Sequence, residues 1–266
     1  MLQDVPVVIL CGGMGMRLKE ETEFRPKPMV EIGTHPILWH IMTSYASFGV
    51  QRFILCLGFK GDVIRDYFVN YHLRTCDAEV VLGNQPCVNV LSRHAPENWR
   101  VTLAETGPKT QTGGRVARIK KYINNETFML TYGDAVCDVD IEELYNFHKS
   151  HGALATVTGV RPPSRFGELE CDGDKVTSFA EKPVGGGLIN GGFFVFNKGM
   201  FDYLREDEDC ILERDPLERL AADGELRVRP HDGFWQCMDT LRDVQYLRSM
   251  VAAGELPWMR RAAQCA

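Results

Sequence analysis

Residues 10–27 read LCGGMGMRLKEETEFRPK, a glycine-rich turn with two cations that directly follows an apolar run at residues 5–10. Glycines after a strand let the backbone approach a ligand closely and direct several N–H groups at it. Arg17 and Lys27 add positive charge for phosphate oxygens. The stretch therefore predicts a nucleoside triphosphate site with these contact residues: Leu10, Cys11, Gly12, Gly13, Met14, Gly15, Met16, Arg17 and Lys27.

Two other phosphate-binding motifs do not fit this stretch. A P-loop requires Lys-Ser/Thr after its glycines, and none follows here. A dinucleotide fingerprint requires a glycine at position 18, which is Leu18. The glycines alone are also consistent with an ordinary turn. Arg17 and the Pro26-Lys27-Pro28 run favour the triphosphate interpretation.

The pattern Gly-Gly-x-Gly-x-Arg-Leu followed by Pro-Lys-Pro resembles the signature of sugar-phosphate nucleotidylyltransferases. Cys11 and Met16 replace the usual Ala and Thr at positions that supply mainly backbone N–H groups in that family. The resemblance continues in residues 27–33, 37–42 and 189–194 and is closest to members that use CTP and glucose 1-phosphate. It implies CDP-glucose and pyrophosphate as products, Mg²⁺ as cofactor and a homo-oligomeric protein.

Apolar segments alternate between strand and helix spacing along the first half of the chain. Residues 5–11, 53–57 and 128–131 read as strands, and residues 36–48, 61–71 and 141–148 as helices. This order predicts an α/β fold with a Rossmann-like, mainly parallel mixed sheet and helices on both faces. Ligands of such sheets bind at the carboxyl ends of the strands, where the glycine loop is expected.

Strand content rises after residue 153, whereas residues 83–100 are polar and are predicted to be irregular. Strands are predicted at residues 154–160, 167–171, 175–179 and 188–196, and helices at 216–222 and 243–252. We expect one domain, residues 1–266. Its nucleotide-binding half spans about 1–150, and its β-rich, sugar-phosphate-binding half about 151–266.

Charge and cysteine usage exclude several classes of protein. A net charge of −6 argues against a nucleic-acid partner, which requires a basic face. No apolar run approaches the roughly 18–20 residues of a membrane span, and no signal peptide is expected. Nine cysteines without a Cys-x-x-Cys motif do not suggest a disulfide framework or a zinc site. The expected location is the cytoplasm.

Two acidic residues follow strand-like runs and are candidate metal ligands. Asp134 ends the sequence Thr-Tyr-Gly-Asp at residues 131–134, and Asp239 directly follows the strand-like run at residues 235–238. Magnesium favours one or two carboxylates together with substrate oxygens and water. Asp239 is equally consistent with a helix N-cap. The resemblance implies that Asp134 and Asp239 hold the metal and that Gly133 contacts the nucleotide, whereas Asp138, Asp140 and Asp243 read as helix-start or surface acids.

Residues 179–183, Phe-Ala-Glu-Lys-Pro, form a candidate sugar-phosphate motif. A Glu-Lys pair is also common at a solvated strand end. The resemblance places Lys182 on the sugar phosphate and Glu181 on sugar hydroxyls. Asn190 and Gly191 are expected to add contacts to the sugar, with Gly167 opposite them.

Thr110 and Arg115 precede a helix predicted at residues 116–123 and are candidate nucleotide contacts. A helix N-terminus with glycines binds anions or carbonyl oxygens well. The alternative is an ordinary cap by Thr112, with Arg115 facing water.

The reaction implied is attack by a sugar 1-phosphate on the α-phosphorus of the triphosphate, without a covalent intermediate. Arg17 and Lys27 are the catalytic candidates, on the leaving phosphates and the α-phosphate. Open alternatives are thymidylyl or uridylyl transfer and a non-catalytic regulatory subunit that binds a nucleotide sugar. An oxidoreductase is disfavoured by the glycine pattern.

Overall fold

The computed structural model describes residues 2–82, 85–91, 97–161, 168–180 and 187–259. The strands are β1 (Val7–Leu10), β2 (Glu31–Ile32), β3 (His35–Pro36), β4 (Arg52–Leu57), β5 (Ala78–Val81), β6 (Cys87–Val90), β7 (Arg100–Glu105), β8 (Thr127–Tyr132), β9 (Ala135–Cys137), β10 (Ala155–Val160), β11 (Glu168–Asp172), β12 (Lys175–Ala180), β13 (Ile189–Asn197), β14 (Leu226–His231) and β15 (Trp235–Cys237). The α-helices are α1 (Lys19–Thr22), α2 (Ile37–Ala46), α3 (Gly61–Val69), α4 (Tyr71–Thr75), α5 (Thr112–Arg118), α6 (Ile141–His151), α7 (Asp215–Ala222) and α8 (Leu241–Ala252).

A seven-stranded sheet in the order β14-β10-β13-β8-β1-β4-β7 organises the molecule. β1 is parallel to both of its neighbours, with Val7 opposite Phe53 of β4 and Met129 of β8. β13 is antiparallel to β8 and to β10, whereas the other neighbouring pairs are parallel. The sheet is therefore mixed and mainly parallel, which confirms the predicted fold class.

Both faces of the sheet are covered by helices, and the side chains of β1 show why. Val7 and Ile9 pack into a core with α2, α6 and α8, whereas Val8 and Leu10 pack on the opposite face with α5 and α7. Alternate residues of a strand point to opposite faces, so a run that is apolar at every position suits a strand buried on both sides. This burial fixes the end of β1, and with it the start of the glycine loop.

The segment predicted to be irregular at residues 83–100 contains ordered strands. Residues 87–90 form β6, which pairs with β5 as an antiparallel hairpin, and Arg100 begins β7. The hairpin strands are exposed along their whole length. They therefore lack the alternation of buried and exposed positions that predicts a strand, and this part of the prediction was wrong.

The helix predicted at residues 116–123 begins earlier, at Thr112, and ends at Arg118, before a 3₁₀ turn at Lys120–Tyr122. Gly113 and Gly114 therefore lie inside the helix, where glycine is usually unfavourable. Close packing explains them. A Cβ at Gly113 would lie 2.6 Å from Cys210 Sγ, and one at Gly114 would lie 2.3 Å from the carbonyl oxygen of Asp207.

No helix in the described parts of the chain is long and apolar enough to cross a membrane.

Candidate active site

The glycine loop leaves β1 at its carboxyl end and turns sharply at Gly15. Gly15 has φ 61°, and a Cβ there would lie 2.8 Å from Thr22 Cγ2. Both the left-handed conformation and the close packing require glycine. The hydroxyl of Thr22 donates to the carbonyl oxygens of Gly15 (3.1 Å) and Leu18 (2.8 Å) and fixes the turn. The loop therefore presents a defined backbone surface beside Arg17.

Arg115 lies beneath this loop and is 4% exposed. Its guanidinium donates to the carbonyl oxygens of Gly12 (3.0 Å), Leu57 (2.9 Å) and Gly107 (2.8 Å) and to Thr106 Oγ1 (2.8 Å). A Cβ at Gly12 would lie 2.1 Å from Arg115 Cζ, so glycine is required where the two groups meet. The alternative in which Arg115 faces water is wrong, since this side chain braces the loop against β4 and the segment after β7.

Thr110, the second candidate of this region, is also buried. Its hydroxyl oxygen accepts a hydrogen bond of 2.8 Å from Arg118. Thr112 does not cap α5, because Gln111 is the N-cap residue and no side chain bonds there. The Thr112 hydroxyl instead donates to Glu213 Oε2 at 2.6 Å.

Lys27 joins the two candidate metal ligands. Its Nζ lies 2.6 Å from Asp134 Oδ2 and 2.6 Å from Asp239 Oδ1. Arg17 approaches the second oxygen of Asp239 at 2.9 Å. Burial on its own would lower the pKa of Lys27, but the Asp134 and Asp239 carboxylates outweigh it and hold that pKa above its ordinary value. The cluster thus combines two cations with two anions.

The strands β9 and β15 hold the two acids together. Asp134 directly precedes β9 and Asp239 follows β15 after Met238, and these strands pair with Cys237 opposite Ala135. The Met238 N–H also donates to the Asp134 carbonyl oxygen at 2.8 Å. Two short strands therefore place residues that are distant in sequence on one side of the cleft.

Asp239 is not the N-cap of α8, the alternative that the sequence left open. Thr240 is the N-cap residue and forms a capping box with Asp243. The Asp243 carboxylate also accepts from the Asp239 N–H at 3.1 Å. The helix start thus orients Asp239 and leaves its carboxylate for Lys27 and Arg17.

The other acids near these strands have separate roles. Asp140 caps α6 by accepting from the Glu143 N–H at 2.9 Å, as expected of a helix-start acid. Asp138 differs from its interpretation as a helix-start or surface acid, because it pairs with His231 Nε2 at 2.8 Å and is largely buried.

The donor set suits a divalent cation. One donor atom each from Asp134, Cys237 and Asp239 lies within 4.8 Å of the other two. Two carboxylates beside the cleft match the coordination that Mg²⁺ prefers, and the remaining positions are left to substrate oxygens and water. The residues present therefore fit such an ion.

A second group of hydrogen bonds links other residues that line the cleft. Tyr132 donates to Glu213 Oε1 at 2.5 Å, and Asn190 Nδ2 donates to the Tyr132 hydroxyl oxygen at 3.1 Å. Gly191 accepts from the indole N–H of Trp235 at 2.8 Å. These bonds orient the start of β13, where Asn190 and Gly191 face the cleft.

The structure brings most of the predicted site residues into one cleft of about 530 Å³. It is lined by residues 10–18, Lys27, Pro28, residues 110–112, Arg115, residues 132–135, Asn190, Gly191, Trp235, Cys237 and Asp239. Gly133 lies where β1 and β8 meet, and its N–H donates to the Leu10 carbonyl oxygen at 3.1 Å. Gly167, Glu181 and Lys182 lie outside the described residues.

Sequence reasoning did not select Tyr132, Glu213, Trp235 or Cys237. Glu213 has no motif around it, and its partner Thr112 is 101 positions away. Tyr132 and Trp235 belong to the two motifs that were selected for their acidic residues, Asp134 and Asp239. The available signal was position within a motif: Tyr132 is two residues from Asp134, and Cys237 is two residues from Asp239.

Comparison with known proteins identifies relatives across nearly the whole chain. The family model described as Nucleotidyl transferase matches residues 6–240. The chain is 48% identical over 255 residues to glucose-1-phosphate cytidylyltransferase of Salmonella typhi, which covers 94% of this chain and 97% of that protein. It is 43% identical over 251 residues to the probable glucose-1-phosphate cytidylyltransferase of Bacillus subtilis (strain 168), with 94% and 98% covered.

A solved structure shows the same architecture. HddC from Yersinia pseudotuberculosis, complexed with GMP-PN, superposes with a TM-score of 0.67 at 25% sequence identity. The match covers 93% of this chain and 99% of that one.

Proposed function

Because the chain belongs to the nucleotidyl transferase family, we propose that it transfers a cytidylyl group from CTP to α-D-glucose 1-phosphate, giving CDP-glucose and pyrophosphate. The choice of substrates is supported by relatives of that name at 48% and 43% identity along nearly the whole chain. The observation that carries the chemistry is the placement of Lys27 between Asp134 and Asp239, beside the glycine loop.

Charge neutralisation is the main task of this site. Both substrates are anions, so the barrier includes their mutual repulsion, and catalysis depends on positioning and electrostatic stabilisation. In our proposal Lys27 neutralises the α-phosphate as it becomes five-coordinate, and Arg17 stabilises the leaving phosphates. The attacking phosphate is already ionised, so the reaction needs neither a general base nor a covalent nucleophile.

Enzymes of this family generally use a divalent metal, and we propose Mg²⁺ held by Asp134 and Asp239. When bound, it would supply further positive charge for the phosphate oxygens of both substrates. Lys27 would then exchange its carboxylate partners for the α-phosphate. In this proposal the two acids hold the Lys27 ammonium in the cleft before the substrate binds.

The glycine loop and the segment around Thr110 are proposed to bind the nucleotide. Cytosine presents an amine donor at C4 and an acceptor at N3, which backbone carbonyl and N–H groups can recognise. A carbonyl placed to accept from that amine would face another carbonyl in UTP and would remain unpaired. Arg115 is a positioning residue in this scheme, because it fixes the carbonyl groups of Gly12 and Gly107.

The sugar phosphate is proposed to bind at the opposite side of the cleft. Asn190 and Gly191 line that wall and are fixed by Tyr132 and Trp235. The sequence adds Gly167, Glu181 and Lys182 to this half of the site, with Lys182 on the phosphate.

Two further expectations remain proposals. We propose a homo-oligomer, on the strength of the family resemblance. We also propose a cytoplasmic location. It is supported by the free thiols of Cys11, Cys56, Cys76, Cys87, Cys137, Cys210 and Cys237.

Competition between CTP, UTP and dTTP at equal concentration tests the assignment. With glucose 1-phosphate and Mg²⁺ present, we expect CDP-glucose to be the dominant product. Equal use of UTP or dTTP would overturn the cytidylyl assignment and leave the general transferase assignment in place. Tight binding of CDP-glucose without pyrophosphate release from any triphosphate would instead indicate a regulatory protein.

A further inference from the structure

Cys237 is a potential third ligand beside the two acids of the proposed metal site. Its sulfur lies within 4.8 Å of donor oxygens of both Asp134 and Asp239. The side chain is half-buried and lines the cleft. Pairing of β15 with β9 sets Cys237 opposite Ala135, directly after Asp134, so its place in the cluster is fixed by the sheet.

A thiolate changes which cations this site prefers. Two carboxylates suit Mg²⁺, which is a hard cation with little affinity for sulfur. A thiolate with two carboxylates is instead a ligand set for Zn²⁺ and Co²⁺, which bind sulfur and carboxylate oxygen in tetrahedral sites. We propose that Asp134, Cys237 and Asp239 together form a site for a thiophilic divalent cation, with Zn²⁺ preferred, which excludes Mg²⁺ and inhibits the enzyme. This inference rests on the proposed function only in assigning Mg²⁺ to the same acids.

The thiolate brings the zinc-bound cluster closer to neutrality. Two carboxylates, one thiolate, one divalent cation and the side-chain cations of Lys27 and Arg17 carry one positive charge in total, whereas the same cluster with a neutral thiol carries two. Excess charge is costly in a partly buried cluster. Lys27 contacts both carboxylates at 2.6 Å, so a cation that binds these oxygens must displace its ammonium group.

The binding step is a proton exchange without a change of oxidation state. The S–H bond of Cys237 breaks, its proton passes to solvent, and the sulfur electron pair forms a bond to the cation, which loses a bound water. The charge of the bound cation stabilises the thiolate.

A second group of donors provides a matched control. Cys137, Asp138 and His231 also lie within 4.8 Å of one another, at the other end of the β9–β15 pair, where Cys137 is opposite Trp235. Substitution of Cys137 removes a thiol from this group but leaves Asp134, Cys237 and Asp239 intact. The two cysteines can therefore be compared directly.

Co²⁺ is the spectroscopic probe for the test. The full-length, metal-free protein is titrated with Co²⁺, and the near-ultraviolet thiolate-to-cobalt charge-transfer band is recorded. We expect a band that saturates at one equivalent, is abolished in Cys237→Ser and Cys237→Ala, and is retained in Cys137→Ser. Zn²⁺ should abolish the band at a concentration at least tenfold below that needed with Mg²⁺. Thermal unfolding establishes that each variant is folded.

Three results would overturn the proposal: no band in the native protein, a band that survives in both Cys237 variants, or a band lost in Cys137→Ser. Mg²⁺-dependent pyrophosphate release is measured on the same samples. If pyrophosphate is released but no charge-transfer band appears, the thiophilic site is refuted and the proposed function stands. If the band appears but no pyrophosphate is released, the thiophilic site is supported and the proposed function is refuted.

Discussion

Lys27 Nζ lies 2.6 Å from Asp134 Oδ2, although the two residues are 107 positions apart in the sequence. The same nitrogen reaches Asp239, 212 positions away, at an equal distance. One ammonium group therefore joins a 3₁₀ turn near the N-terminus, the end of β8 and the end of β15. All three segments line the cleft.

Removal of either acid should abolish most turnover. We expect Asp134→Asn and Asp239→Asn each to lower kcat by at least about 100-fold, because the cation and Lys27 lose a charged partner. The measurement is pyrophosphate release from CTP with glucose 1-phosphate. A chelator should have the same effect, reversibly.

The control for the acids is Asp62→Asn, an exposed acid in the first turn of α3. It should retain full turnover. Full activity of either active-site variant, or full activity in excess chelator, would contradict the proposed metal site.

The two lysines should affect different kinetic parameters. Lys27→Ala should mainly lower kcat, since its contact with the α-phosphate strengthens as charge develops in the transition state. Lys182→Ala should mainly raise the apparent KM for glucose 1-phosphate. Steady-state kinetics with each substrate varied in turn provide the measurement. The reverse pattern would mean that the lysines serve the opposite substrates.

Loss of Arg115 should destabilise the glycine loop. Arg115→Ala leaves the carbonyl groups of Gly12, Leu57 and Gly107 without their buried donor, at a cost of about 2 kcal/mol or more in the free energy of unfolding. Affinity for CTP should fall as well. Denaturant unfolding and nucleotide titration measure the two effects.

Arg65→Ala is the matched control for Arg115, because Arg65 is exposed and only reaches Glu105 at 3.9 Å. Its effect should stay within about 0.5 kcal/mol. A comparable loss of stability in both variants would show that the buried hydrogen bonds of Arg115 contribute little.

His40 should make stability depend on pH. Burial lowers its pKa to about 4 from an ordinary value of 6.5. Its Nε2 donates to the Ile32 carbonyl oxygen, and its Nδ1 accepts from the indole N–H of Trp258. These partners select the neutral ring, because a protonated Nδ1 would face another donor.

The sign of the effect follows from the lowered pKa. The folded state resists protonation, so the contribution of His40 is complete above about pH 6.5, declines as pH falls, and is lost below about pH 4. Over this window the free energy of unfolding should fall less in His40→Gln than in the native protein, by up to about 3 kcal/mol. Equal slopes in denaturant unfolding at pH 7, 6, 5 and 4 would rule out this role.

The sequence predicted those parts of the fold in which one physical requirement dominates. β1 is apolar at each position because both faces are buried, and the glycines after it mark a backbone that must turn sharply. The hairpin of β5 and β6 was missed because neither strand has a buried face. Burial patterns, the main sequence signal for strands, are absent there.

The candidate site also contains residues that the sequence could predict and a residue whose role it could not predict. Lys27, Asp134 and Asp239 could be selected because charged residues at strand ends and in motifs are conspicuous. The role of Arg115 could not be predicted, since its partners are carbonyl groups from three separate segments. The assignment of the site residues to substrates stays a prediction until the variants above are measured.

The strand order has a consequence for synthesis on the ribosome. β8 pairs on one side with β1 but on the other with β13, which is made after residue 188. Until then the nascent chain carries an apolar β8 whose outer edge has no partner in the sheet. A fragment of residues 1–150 would keep that open edge permanently, and we expect it to aggregate.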